Sequence, residues 1–142
     1  LHGGFGHLAT NTVPFAVLGF LSTTRHMRDF WRVLILSALT AGLGAWLFGA
    51  SDSVHIGASG VIFGFLGFLL ARGVFEKSLS SMLMSGFVAF FFGGMLWAVL
   101  PLVQDGISWQ SHLFGCLGGV WSARIGAGSR TKRRGHRKRK TR

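Results

Sequence analysis

Long apolar stretches alternate with short polar connectors along the whole chain. The apolar stretches occupy residues 5–22, 33–50, 57–73, 83–100 and 108–126, and the connectors 23–32, 51–56, 74–82 and 101–107. Each stretch is close to the roughly 17–25 residues that a helix needs to cross a bilayer. None shows the ten-residue alternation of a membrane barrel strand. Inside hydrocarbon every backbone N–H and C=O must find a partner within the chain, so the pattern predicts helices. The expected architecture is an all-α polytopic membrane bundle with five spans. Residues 1–126 form its transmembrane core, and 127–142 form a basic cytoplasmic tail expected to be disordered. No internal repeat is visible.

Composition supports a bilayer as the solvent. Of 142 residues 49% are hydrophobic and only 13% charged, which is too apolar for a soluble domain of this size. The net charge of +11 comes from 15 Lys+Arg against 4 Asp+Glu, but the run SRTKRRGHRKRKTR at 129–142 holds most of the cations. The others are Arg25, Arg28 and Arg32 in the first connector, Arg72 and Lys77 around the third, and Arg124 near the end of the last span. The second and fourth connectors and the start of the chain contain no Lys or Arg, only Asp52 and Asp105, so the positive-inside rule places them outside. An external start with five spans predicts one more helix, entering from the cytoplasm, before Leu1. The start has no signal-peptide pattern. The single cysteine, Cys116, lies in an apolar stretch and excludes an internal disulfide or a cysteine-rich metal site.

Polar side chains at membrane depth are costly, so each marks a candidate site. Here they gather at external span ends: His7 and Asn11 on the first, Ser59 on the third, His112 on the fifth. Ser59 sits in Gly57-Ala58-Ser59-Gly60, where the glycines allow a tight entry into a helix and a close approach by a peptide. A serine at a helix start also lies among unpaired backbone N–H groups able to stabilise an oxyanion. His112, Gly115 and Gly119 share one helix face, and Gly60, Gly64, Gly67 and Ala71 another. Packing of these two faces is expected to bring the Ser59 hydroxyl within ~3 Å of a ring nitrogen of His112, the contact a general base needs. His7 and Asn11, one turn apart, would donate hydrogen bonds to the oxyanion. Neither Asp52 nor Asp105 is placed to complete a triad, so the expectation is a Ser–His dyad. Taken singly, a membrane serine bonds back to its own helix, and a membrane histidine bonds between helices. The convergence of four groups from three helices at one depth favours catalysis.

Three segments carry a resemblance to a known family. HGGFGHLATN from His2 to Asn11, GASGVIFG from Gly57 to Gly64 and SHLFGCLGG from Ser111 to Gly119 resemble, in order, the signature segments of the rhomboid intramembrane serine proteases. The resemblance implies a six-helix fold with a short, central serine helix, of which the first helix is absent here together with a loop carrying a Trp-Arg element. It implies cleavage of transmembrane protein substrates near the outer face, with Ser59 as nucleophile and His112 as base. His7, Asn11 and the Ser59 backbone correspond to the oxyanion-binding groups, and Gly57 to the loop position that admits the peptide. His2 matches a structural histidine, and the stretch 83–100 resembles the family's lateral substrate gate. Ser111 stands where the family has Ala or Gly.

No cofactor and no metal is expected. One alternative is a catalytically silent rhomboid-like protein that binds transmembrane helices, although such proteins usually lack the serine or the histidine. Another is a metal or haem protein using His2, His7, His55 and His112; His2 and His7 are off one helical face, and no Cys or Glu ligand accompanies them. Expected partners are transmembrane substrates, the bilayer, and anionic lipid headgroups for the basic tail, with no nucleic acid. The expected location is a bacterial cell membrane, with the active site facing outside and the C-terminus in the cytoplasm.

Overall fold

The computed structural model describes residues 5–49, 58–101 and 109–140, with side chains described for 10–49, 58–101 and 109–128. Each apolar stretch forms a helix. The order is α1 (Phe5–Thr23), α2 (Met27–Phe48), α3 (Ser59–Glu76), α4 (Leu79–Phe92) continued by a 3-10 segment (Gly93–Val99), and α5 (Trp109–Lys140). Met27–Phe48, Ser59–Glu76 and Leu79–Val99 are long and apolar enough to cross a membrane by length and composition.

The third helix is the centre of the bundle. It is apolar on all faces, as a helix with neighbours on every side must be. Its burial reaches 61% of the apolar window, against 22% for Met27–Phe48 and 6% for Leu79–Val99, so those two face outward. Ile62, Phe65, Leu66 and Leu69 of α3 join Leu18 of α1, Val33 of α2, Val88 of α4 and Ala123 of α5 in one buried cluster. Phe20, Trp46, Leu79 and Phe90 are strongly exposed on the outside. In water such a surface would aggregate; in a bilayer it meets a solvent of its own polarity.

Lipid tails are as apolar as leucine, so helices in a membrane gain by close backbone approach rather than by hiding apolar area. The α3–α5 contact shows this at two glycines. A Cβ added at Gly115 would run into the backbone carbonyl of Gly60, and one at Gly119 into that of Gly64. These pairs are spaced by four residues on both helices, which fixes one register between them.

Several helix ends extend beyond the expected spans. The connector expected over 74–82 shrinks to Lys77 and Ser78. Lys77 takes the left-handed conformation, φ 49°, that closes α3, and Ser78 caps α4 by accepting the Ser81 N–H at 3.3 Å. The polar residues here remain helical because they are paired. Glu76 accepts from Arg25 at 2.8 Å, from Arg72 at 3.1 Å and from the Ser81 hydroxyl. At the same end Arg32 pairs with Asp29 and lies beside Gly126 of α5. The arginines of α1's exit, α2 and α3 thus share one end of the bundle with the lower part of α5.

The stretch 83–100 forms its expected span as Leu79–Val99, and inside it α4 stops at Phe92 and tightens into the 3-10 segment at Gly93 and Gly94, residues that weaken an α-helix. One expectation needs correction. The tail expected to be disordered from 127 continues α5 as helix to Lys140. Alanine, arginine and lysine favour helix, and no proline interrupts 109–140.

Candidate active site

Because successive helices reverse direction, the start of α1, the end of α2, the start of α3, the end of the 3-10 segment and the start of α5 lie together, opposite the arginines. Ser59 is the first residue of α3 and is half-buried. Ala58 precedes it as N-cap without a side-chain capping bond. The N–H groups of the first turn therefore keep no intrahelical acceptor and give that end a partial positive charge.

His112 lies in the first turns of α5, only 6% exposed. Its ring is held from two sides. It stacks on Phe63 with centroids 4.1 Å apart and planes at 14°. Its Nδ1 lies 3.0 Å from the backbone carbonyl of Ala98, in the 3-10 segment. A carbonyl can only accept, so Nδ1 carries the hydrogen and donates it, which leaves Nε2 as the nitrogen able to take a proton. No carboxylate is needed for this orientation.

The same α3–α5 crossing brings Ser59 and His112 to facing turns. Phe63 is four residues after Ser59 and shares its helix face. At Gly60, next to Ser59, an added Cβ would stand 2.8 Å from Ser111 Oγ, next to His112. The direct Ser59–His112 hydrogen bond expected from the sequence is not among the bonds made by the described residues. Catalytic contacts of this kind are often long before substrate arrives.

The oxyanion candidates are placed by their helix. Phe15 of α1 packs edge-on against Phe65 of α3 at 5.8 Å. Asn11 and His7 lie one and two turns from Phe15 toward the start of α1, about 6 and 12 Å along the axis at 1.5 Å per residue. Ser59 lies about 9 Å from Phe65 in the same direction, so the two positions bracket its level. Asn11 is half-buried, and His7 is described by its backbone alone. Gly57, His2, His55, Asp52 and Asp105 lie outside the described residues. Among the described residues no group of three His, Cys, Asp or Glu side chains comes together.

Two contributors escaped the sequence reading. Phe63 supplies the stacking face, and its signal was its position one turn after the serine. The Ala98 carbonyl supplies the acceptor, and a backbone atom leaves no mark of its own in a sequence.

Comparison with known proteins gives the chain's family and relatives. The family model described as Rhomboid domain matches residues 1–129. The chain is 42% identical over 131 residues to the uncharacterized protein Rv1337 of Mycobacterium tuberculosis, covering 87% of this chain and 54% of that protein. It is 38% identical over 130 residues to the uncharacterized protein ML1171 of Mycobacterium leprae, covering 87% and 51%. YdcA of Bacillus subtilis, which carries rhomboid protease as a provisional name, is 31% identical over 123 residues, covering 84% and 59%. The chain therefore spans about half the length of the curated relatives it matches. No solved structure matches it significantly.

Proposed function

The chain belongs to the rhomboid family, and from that premise we propose that it is an intramembrane serine endopeptidase cleaving transmembrane protein substrates near the outer membrane face. It is an integral membrane protein with relatives in bacteria. The observation that carries the reading is the two-sided hold on His112, stacked on Phe63 and donating Nδ1–H to Ala98, which leaves Nε2 free on the turn facing Ser59.

In the proposed reaction Nε2 takes the Ser59 hydroxyl proton as Oγ bonds to the substrate carbonyl carbon. The resulting oxyanion is met by the backbone N–H of Ser59 and by His7 and Asn11, groups aimed where charge develops. Collapse breaks the C–N bond, and the imidazolium returns its proton to the leaving amine. Water then attacks the acyl ester with His112 again as base, and the serine is released. With the basic tail and Arg25, Arg28 and Arg32 on the cytoplasmic side, Ser59 and His112 belong near the outer face.

The test uses the full-length protein in detergent and a fluorophosphonate probe. Wild type is expected to label, and Ser59→Ala and His112→Ala to lose labelling. Equal labelling of all three, or none in folded wild type, would favour a silent protein that binds transmembrane helices.

A further inference from the structure

We infer that Pro101 is a positioning residue for the catalytic base: by withholding an N–H from the end of the 3-10 segment, it keeps the Ala98 carbonyl free to orient His112. The inference rests on the protease reading above and deepens it.

The argument begins with hydrogen-bond accounting. In a 3-10 helix each carbonyl accepts from the N–H three residues later. Trp97 follows that rule, its carbonyl accepting from the Leu100 N–H at 3.1 Å. For Ala98 the corresponding donor would be residue 101, which is a proline and has no N–H. Proline also forces the residue before it out of the helical region, and Leu100 is extended, with φ −85° and ψ 142°. The segment therefore ends with an acceptor that its own backbone cannot fill at that position. Ala98 is partly buried against the core, where an unmet acceptor is costly. His112 meets it from α5 at 3.0 Å.

The consequence reaches the chemistry. A neutral imidazole carries its hydrogen on one nitrogen or the other, and only the Nδ1-protonated form can act as a base through Nε2. A dyad has no carboxylate to impose that form. Here the Ala98 carbonyl imposes it, and Phe63 fixes the ring plane. The orientation of the base thereby depends on the seating of the 3-10 segment against α5.

Pro101→Ala restores an N–H at 101, which competes with His112 for the Ala98 carbonyl. In full-length protein, fluorophosphonate labelling of Ser59 is expected to show a maximal inactivation rate lowered roughly ten- to hundredfold, as for a misplaced catalytic group, with little change in the probe concentration giving half that rate. The second readout is the ¹⁵N spectrum of the histidine rings, His112 being identified by the signals that disappear in His112→Ala. Wild type is expected to show His112 protonated at Nδ1, and Pro101→Ala a shift toward protonation at Nε2. Pro101→Gly, which also supplies an N–H, should behave like Pro101→Ala. Wild type protonated at Nε2 would overturn the inference without any variant. So would a Pro101→Ala protein with wild-type rate and wild-type ring signals, while Ser59-dependent labelling kept the protease reading intact. Folded wild type that never labels would overturn both.

Discussion

At the scale of single residues, the candidate site rests on contacts of very different visibility. Ser59 and His112 stand out because a polar side chain in an apolar stretch has to be justified. Phe63 does not, because one phenylalanine among 14 looks like filling. Its distinct role is the stacked contact with His112. Phe63→Leu keeps most of the volume but loses the aromatic face, worth about 0.5–1.5 kcal/mol beyond area burial. Labelling of Ser59 should slow several-fold, with thermal unfolding in detergent lowered by no more than a few degrees. An equal loss in Phe63→Leu and Phe63→Ala would fit the expectation for stacking, whereas full activity in Phe63→Leu would reduce Phe63 to packing. The free acceptor at Ala98 was legible only through Pro101, and only once a helix was known to end there.

At the scale of elements, the positions of the five helices were readable because span length and apolarity are set by the bilayer. Their ends were less so. Uniform apolarity over 83–100 hides the change at Gly93 from α-helix to 3-10 turn, and the pairing of Glu76 with Arg25 and Arg72 extends α3 past the residues that polarity alone would assign to it. The glycine face was legible, and its energetics are testable by contrast. At Gly119 an added methyl meets the backbone of α3, which cannot step aside, whereas at Gly42 and Gly86 nothing lies within 4 Å. Gly119→Ala should destabilise the bundle by roughly 1–3 kcal/mol, the usual range for overpacking. Gly42→Ala and Gly86→Ala should be neutral or stabilising by up to about 1 kcal/mol, since alanine is the better helix former. Thermal unfolding of the purified variants in one detergent measures all three.

At the scale of the whole molecule, Glu76 joins the connector after α1 to α3 and α4 at the end opposite the site. Its side chain is 7% exposed and that of Arg72 4%, while Arg25 remains 30% exposed. Burial decides the ranking. Glu76→Ala removes the counter-charge of a buried guanidinium, a change that costs about 3–5 kcal/mol. Arg25→Ala breaks a partly solvated pair, for which about 1 kcal/mol or less is expected. Chemical or thermal denaturation in detergent should reproduce that order, and equal losses would mean that the network is solvated throughout. The central placement of α3 has a further consequence for biosynthesis. Gly60 and Gly64 face Ala41 and Ser37 of α2 on one side and Gly115 and Gly119 of α5 on the other, the latter more than fifty residues later in the chain, so the serine helix reaches the bilayer before one of the two faces it needs has been translated. At about 5–20 residues per second that interval lasts on the order of several seconds. During it the glycine face of α3 has only α2, through Ala41 and Ser37, to pack on, the rest being left to lipid or to the membrane's insertion machinery, and a ribosome stalled before α5 would leave a nascent chain that carries Ser59 without His112.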